Sequence, residues 1–193
     1  MSNYNYNLMV RVLLLLVLIF PISTLKTHGK IVEFNSNHSK INYTLSCLGI
    51  PIKKKSLPVS GSMNVKKFRQ EEDKLCGNYL LKKLSLKVLF TSKNKHFRNI
   101  INYNRFPYFT FFATLDKPIE VKNQLISIEG ILSFHGIDKK IKIKLKNNPK
   151  GNSTCLIGFL NIKMSDFGIE PPRFLFLRID DLIKTRVEIH LNT

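Results

Sequence analysis

The feature that most constrains the fold of this chain is a two-residue alternation of apolar and polar side chains. It is clearest over residues 140–146, where Ile141, Ile143 and Leu145 alternate with lysines. An alternation of this period places the apolar side chains on one face of a β-strand and the polar side chains on the other. The chain is therefore predicted to consist mainly of half-buried strands.

The same alternation, or an apolar run between turn residues, appears in several other segments. We predict strands around residues 41–47, 59–65, 84–90, 108–115, 125–134, 140–146, 154–164 and 186–191. Turn residues separate many of them, as at His135-Gly136 and over 147–151. Residues 94–106 lack the alternation and are predicted to form a short helix or a loop, and 165–178 is a second irregular stretch.

About eight antiparallel strands with one apolar face each are predicted to close into an all-β barrel, because closure removes exposed sheet edges. A barrel of this size is either filled by side chains or holds one slender ligand. Large aromatic side chains are expected to face the interior; these are Phe109, Phe111, Phe112, Phe134 and Phe159. The pattern alone favours a packed interior over a ligand cavity.

The N-terminus carries an unbroken apolar run at residues 12–20, preceded by Arg11. A helix of that length is shorter than the roughly 20 residues needed to cross a bilayer. A basic residue, a short apolar run and a polar stretch that ends at a small residue are typical of a secretory signal. We predict a signal peptide over residues 1–29, cleaved after Gly29, and one domain over residues 30–193.

The chain is strongly basic, with 31 Lys and Arg against 13 Asp and Glu and a net charge of +18. The excess is dispersed, with small clusters at 53–55, 82–83 and 139–140. Lysines on the outer face of a strand usually contact solvent and discourage edge pairing. They can also attract an anionic membrane surface. We expect no nucleic-acid partner, because that function favours exposed aromatic side chains interleaved with arginine.

Residue types that support catalysis or metal binding show no recognisable arrangement. The sequence has no CxxC, HExxH, GxSxG or phosphate-binding glycine loop. Cys47, Cys76 and Cys155 allow at most one internal disulfide, and buried thiols within strands are favoured for Cys47 and Cys155. The adjacent acids at 180–181 are predicted to act in a turn or cap. We therefore predict a binding protein with no catalytic residue, metal or cofactor; an enzyme acting through His135 or a cysteine is the minority hypothesis.

Three motifs follow one another in the second half of the chain. Residues 96–98 (HFR) lead to RFPYFTF at 105–111, GILSFHGIDKKI occupies 130–141, and MSDFGI occupies 164–169. In this order they resemble the YceI-like, polyisoprenoid-binding protein family of bacteria, over most of residues 31–192. The family usually has Arg before Ser-Asp-Phe-Gly and Tyr before the Pro, where this chain has Met164 and Phe106.

The resemblance implies a lipocalin-like barrel that is exported to the periplasm and encloses an isoprenoid lipid of the quinone or polyprenyl type. Burial of such a chain contributes about 0.8 kcal/mol per CH₂ group. Candidate lining residues are Ile41, Tyr43, Leu45, Leu86, Val88, Phe109, Phe111, Ala113, Ile141, Ile143, Leu160 and Ile162. The alternative function is an envelope interaction protein with a packed barrel, whose basic surface engages anionic lipid or an acidic partner. The oligomeric state stays open, with a homodimer among the alternatives.

Overall fold

A computed structural model describes residues 29–67, 79–91, 93, 95–150, 153–174 and 176–191. The predicted signal peptide, apart from Gly29, lies outside these residues, as does Cys76. The strands are β1 Lys30–Phe34, β2 Lys40–Cys47, β3 Ile50–Lys67, β4 Tyr79–Leu89, β5 Tyr108–Val121, β6 Ile126–Phe134, β7 Ile137–Lys150, β8 Ser153–Lys163, β9 Arg173–Phe174, β10 Leu177–Arg178 and β11 Leu182–Leu191. Helix α1 spans Lys95–Ile100, and a 3₁₀ turn spans Ser165–Phe167.

Eight of these strands form a closed antiparallel barrel. Its order is β3-β2-β11-β8-β7-β6-β5-β4, and hydrogen bonds between β3 and β4 complete the ring. The predicted all-β barrel of about eight strands is confirmed, and α1 lies within the predicted segment 94–106. No helix among the described residues is both long enough and apolar enough to span a membrane.

Strand β3 is the longest strand and reaches three neighbours. Its first half pairs with β2, and its second half lies between β1 and β4. Gly61 sits where this packing is tightest, opposite both Phe34 and Leu86. A Cβ atom at Gly61 would lie 2.0 Å from the backbone oxygen of Ser85, so this crossing needs a residue without a side chain.

The alternation in the sequence corresponds to an inner and an outer barrel face. On β11, Val187, Ile189 and Leu191 are buried, and they alternate with more exposed residues. Lys140, Lys142 and Lys144 of β7 are exposed on the outer face, where Lys140 and Lys142 pair with Glu129 of β6 at 2.8 and 3.2 Å. Most of this lysine row therefore projects into solvent, as predicted, and a carboxylate neutralises part of its charge.

Two of the aromatic side chains expected in the interior point outward. Phe112 is 50% exposed and Phe159 is 36% exposed. Phe112 directly follows the buried Phe111, and adjacent strand residues project to opposite faces. The prediction was wrong for Phe112 and Phe159, because it counted large aromatic residues without respecting strand parity.

The sequence analysis also missed strand β1. Its alternation is short, with Val32 and Phe34 buried and their neighbours exposed. Such a five-residue segment next to the predicted signal peptide gives a weak pattern. It nevertheless pairs along β3 from Lys30↔Val65 to Phe34↔Gly61.

The antiparallel order gathers one set of connections at one end of the barrel, which we call the capped end. There β2, β4, β6 and β8 finish and β3, β5, β7 and β11 begin. The turn at 48–49, the segment 90–107 with α1, the turn at 135–136 and the segment 164–181 all lie at this end. These connections close the barrel above its apolar interior.

Candidate functional site

An apolar cavity of about 80 Å³ lies inside the capped end of the barrel, and its surface is wholly apolar. The lining residues are Ile41, Tyr43, Leu45, Leu57, Phe90, Ile100, Ile101, Phe109, Phe134, Ile162, Met164, Ile169, Pro172, Ile183 and Thr185. They come from the barrel wall, from α1 and from the segment that follows β8. The cavity is therefore enclosed jointly by regular strands and by the connections at the capped end.

Aromatic rings form one wall of the cavity. The ring of Phe134 packs against Phe90 and Phe109 with centroid distances of 5.7 Å, and against Phe167 at 5.4 Å. These tilted arrangements fall in the range that aromatic pairs prefer. Through these contacts the rings connect β4, β5 and β6 to the 3₁₀ turn at the capped end.

The polar groups among the lining residues do not present charge to the cavity. Thr185 donates its hydroxyl to the backbone oxygen of Leu160 at 2.7 Å, so this buried donor is satisfied. Burial raises the pKa of the Tyr43 phenol above its ordinary value, which keeps the side chain neutral. The site is consequently suited to a hydrocarbon group rather than to an ion.

A second void of about 10 Å³ lies deeper in the barrel and shares Ile41 and Phe109 with the cavity. Its other lining residues are Leu86, Val88, Phe111, Ile143, Leu145, Gly158, Leu160, Val187 and Ile189, and Phe159 also contacts the void although its side chain is 36% exposed. Ile41 and Phe109 thus stand between the two spaces.

The structure brings most of the predicted lining residues to one of these two spaces. Ile41, Tyr43, Leu45, Phe109 and Ile162 line the larger cavity. Leu86, Val88, Phe111, Ile143 and Leu160, together with Ile41 and Phe109, line the deeper void. Ala113 is buried but lines neither space, and Ile141 is half-buried against the core and also lines neither.

The residues that close the cavity were not predicted from the sequence. Ile100 and Ile101 come from the helical segment, and Met164, Ile169 and Pro172 come from the segment after β8. Neither segment has a two-residue alternation that could have indicated an inward face. Phe90 and Phe134, by contrast, continue the alternation of β4 and β6 and could have been selected on that signal.

Met164 occupies the position before Ser-Asp-Phe-Gly at which the family resemblance implies an arginine. Its side chain is buried and lines the cavity. A thioether is flexible and polarizable, and it fills irregular apolar space well. In this chain the position therefore contributes apolar surface rather than a cation.

The contacts of His135 stabilise a turn and the backbone next to it. It lies in the β6–β7 turn with φ of 53°, followed by Gly136 with φ of 78°, and these values fit a tight hairpin. Its Nδ1 lies 2.9 Å from the backbone oxygen of Phe167, and its ring centroid lies 4.9 Å from that of Phe106 in a tilted arrangement. These contacts join the hairpin to the 3₁₀ turn and fit the predicted turn role.

The acidic pair at 180–181 also organises backbone. Asp180 accepts a hydrogen bond from the backbone N–H of Gly49 at 2.9 Å. Asp181 accepts bonds from the backbone and the hydroxyl of Ser165. Burial tends to raise the pKa of Asp181, but the Ser165 bonds and nearby cations outweigh it, so that the pKa is lowered. Both acids therefore hold the capped end together, as the predicted turn role implies.

Cys47 and Cys155 are buried thiols within strands, as favoured from the sequence. The thiol of Cys47 donates to the backbone oxygen of Arg178 at 3.3 Å, and Cys155 lies 3.9 Å from Nε2 of His190. In the part of the chain that the structure describes, no three His, Cys, Asp or Glu side chains are grouped so that they could hold a metal ion.

Comparison with known proteins gives a family match and a set of similar folds. The model of the YceI-like domain matches residues 33–193. The structure resembles BcnA of Burkholderia cenocepacia with a TM-score of 0.52 and 13% identity, over 82% of this chain and 99% of that chain. It also resembles a polyisoprenoid binding domain from Saccharophagus degradans, implicated in plant cell wall breakdown, with a TM-score of 0.56 and 12% identity, over 86% of this chain and 99% of that chain. At these identities the likeness concerns the fold. No curated protein matches the chain significantly.

Proposed function

The chain belongs to the YceI-like domain family, and from that premise we propose that it binds the apolar chain of an isoprenoid lipid inside its barrel. The observation that carries this proposal is the wholly apolar cavity at the capped end. A similar fold in a polyisoprenoid binding domain supports it. An isoprenoid chain is slender and uncharged, which matches a narrow lumen without ionised groups.

The cavity must widen to accept more than a small part of such a chain. A dry apolar cavity of roughly 150 Å³ accommodates benzene, whereas this cavity measures about 80 Å³. Barrel strands are held by continuous hydrogen-bonded ladders, whereas α1 and the segment after β8 lie outside these ladders. We propose that Ile100, Ile101 and Ile169 move first, and that the lipid chain then extends toward Ile41 and Phe109.

We further propose a quinone or polyprenyl lipid as the ligand and the periplasm as the location. The location rests on the apolar run at residues 12–20 and its flanks. The ligand class rests on the uncharged lumen, since a charged headgroup would have to remain outside it. Transport, storage and sensing all use this binding step and require no catalytic residue.

The test compares ligand uptake by two variants on neighbouring positions of β8. Ile162→Phe adds a ring inside the cavity, and Asn161→Phe adds the same ring on the exposed outer face. Native mass spectrometry of protein purified without detergent measures a co-purified lipid and the uptake of added polyprenol or quinone. We expect Ile162→Phe to lower uptake roughly tenfold, equivalent to about 1.4 kcal/mol, and Asn161→Phe to leave it unchanged.

If Ile162→Phe does not fold, a variant that enlarges the cavity tests the same proposal. Phe134→Ala removes a ring from the cavity wall and should increase uptake. Equal uptake by both β8 variants, or no uptake by the native chain, would contradict lipid binding inside the barrel.

The second candidate function is an envelope interaction protein with a packed barrel. The small volume of the deeper void, about 10 Å³, favours it because most of the interior is filled. Its basic surface would engage anionic lipid or an acidic partner, with binding that weakens as salt rises. On this hypothesis, Ile162→Phe and Asn161→Phe bind anionic vesicles equally and neither takes up lipid.

A further inference from the structure

The capped end carries large apolar side chains that project into solvent from two hairpins. Leu48 and Ile50, at the β2–β3 turn, are 77% and 67% exposed. Phe176 and Leu177, at the β9–β10 turn, are 99% and 50% exposed. We call these four residues the hairpin tips. Single exposed apolar residues are ordinary, but four of them on two projecting turns at one end form an unusual group.

Hydrogen bonds hold the two hairpins side by side. The backbone N–H of Asp180 donates to the backbone oxygen of Ser46 at 2.8 Å. The backbone N–H of Gly49 donates to the Asp180 carboxylate at 2.9 Å, and the Cys47 thiol donates to the oxygen of Arg178. The hairpin tips therefore project together from a connected base.

Basic side chains accompany the hairpin tips at the capped end. They are Lys93, Lys95, Arg98 and Arg105 from the β4–β5 connection, and Arg173 and Arg178 from β9 and β10. Two of the acidic side chains at this end pair with basic ones, Glu170 with Arg178 itself, and two accept hydrogen bonds from backbone N–H groups. Asp180 and Asp181 accept the backbone bonds described above, Asp166 lies 3.5 Å from Lys139, and Glu170 lies 3.8 Å from Arg178.

We propose that the capped end docks on an anionic lipid bilayer, with the hairpin tips inserted at the headgroup level and the basic side chains against lipid phosphates. Apolar side chains flanked by Lys and Arg are the combination that binds anionic interfaces. Two projecting turns suit insertion into a soft surface better than a flat protein interface, which usually buries roughly 800 Å² on each partner. The large excess of Lys and Arg over Asp and Glu along the chain adds long-range attraction to the same surface.

Docking on a bilayer is a separate property from ligand binding in the cavity, and it brings the cavity close to membrane lipid. Leu45, Pro172 and Ile183 line the cavity, and each lies within a few residues of the two hairpins along the chain. A bilayer that covers the hairpin tips would therefore also face α1 and the segment after β8. The docking surface does not depend on which lipid enters the cavity.

The first test measures co-sedimentation with sucrose-loaded vesicles. Vesicles of phosphatidylcholine with one quarter phosphatidylglycerol are compared with vesicles of phosphatidylcholine alone. The double variant Leu48→Ser with Phe176→Ser removes two hairpin tips. Its matched control, Ile31→Ser with Leu125→Ser, removes residues that are 65% and 55% exposed at the opposite end. We expect the capped-end variant to lose roughly tenfold or more in vesicle binding, and the control to stay within about twofold.

The second test uses the absence of tryptophan from the chain. Phe176→Trp introduces a single indole at the capped end, and Leu125→Trp introduces one at the opposite end. Lipids brominated on their acyl chains should quench the first indole and leave the second unquenched. Because both positions are exposed, neither substitution disturbs the core.

Several results would overturn the proposal. They are equal vesicle binding by the capped-end variant and its control, equal quenching of the two indoles, or no preference for phosphatidylglycerol. Concentration-dependent dimerisation that Phe176→Ser abolishes, without vesicle binding, would assign the hairpin tips to a second copy of the chain instead. Ile162→Phe separates the two proposals, since it should dock normally even though its lipid uptake is lowered roughly tenfold.

Discussion

Replacing Phe134 by Ala tests the cavity wall most directly. The side chain is only 6% exposed, and its ring contacts the rings of Phe90, Phe109 and Phe167. Truncation of a buried Phe costs about 3–5 kcal/mol, of which each aromatic pairing supplies about 0.5–1.5 kcal/mol. Because the space it vacates joins the existing cavity of about 80 Å³, neighbouring side chains can refill little of it. We therefore expect a loss of about 4 kcal/mol in the free energy of unfolding.

The assay is chemical denaturation followed by far-UV circular dichroism, with the free energy of unfolding extrapolated to water. Phe112→Ala is the matched control, because Phe112 is half exposed on the outer face and should lose at most about 1 kcal/mol. An apolar ligand that occupies the enlarged cavity should restore part of the loss to Phe134→Ala. At a hundred times its dissociation constant, such a ligand stabilises the native state by about 2.7 kcal/mol.

A loss below about 1 kcal/mol for Phe134→Ala, or one no larger than that for Phe112→Ala, would refute the ring cluster as a main element of the capped end. Failure of benzene and of short isoprenoid alcohols to stabilise the variant would refute the continuity of the vacated space with the cavity. Partial restoration by either ligand would support both conclusions.

Three further substitutions probe the frame around the site. Gly61→Ala should destabilise the fold by about 3 kcal/mol or prevent folding, because its Cβ would meet the backbone oxygen of Ser85; a native-like thermal transition would contradict this. Tyr79→Phe removes a buried hydroxyl that has no hydrogen-bond partner among the described residues, so unfolding should show no loss and a gain of up to about 1 kcal/mol. The lowered pKa of Asp181 means that its contribution is present above the unfolded pKa of about 4 and is lost as the pH falls through the folded value. Asp181→Asn should therefore flatten the acid limb of stability against pH, and Ser165→Ala should flatten it less; an unchanged acid limb in both variants would argue against this linkage.

The strand faces could be predicted from the sequence because burial in a barrel follows the two-residue period closely. On β2 and β7, alternate residues such as Ile41, Tyr43 and Ile143 point inward, as the pattern indicates. Where both faces of a strand are buried, apolar residues occupy successive positions, and the two-residue alternation disappears from the sequence. Residues Cys155 to Gly158 of β8 are all buried, so this run shows no alternation, and only Leu160 and Ile162 beyond it indicate the inward face of the strand.

The lid of the cavity could not be predicted for a different physical reason. Ile100, Met164 and Ile169 lie in turns and short helical segments, where tertiary packing rather than a repeating backbone geometry sets the direction of each side chain. Their inward position depends on contacts such as the hydrogen bonds of Met164 and Ile169 with neighbouring backbone. The walls of the candidate site were thus accessible from the sequence, and its closure was not.

The pairing of β11 with β2 has a consequence for how the barrel is made. Thr185 lies opposite Tyr43 across a long stretch of intervening chain, and both line the cavity. Contacts of such high sequence separation slow folding, because loop-closure entropy is lost before native contacts compensate for it. Until β11 is synthesised, the free edges of β2 and β8 remain open to pairing with other chains. The ring can therefore close only after β11 has been made, and the cavity wall that Thr185 and Tyr43 share is completed at that stage.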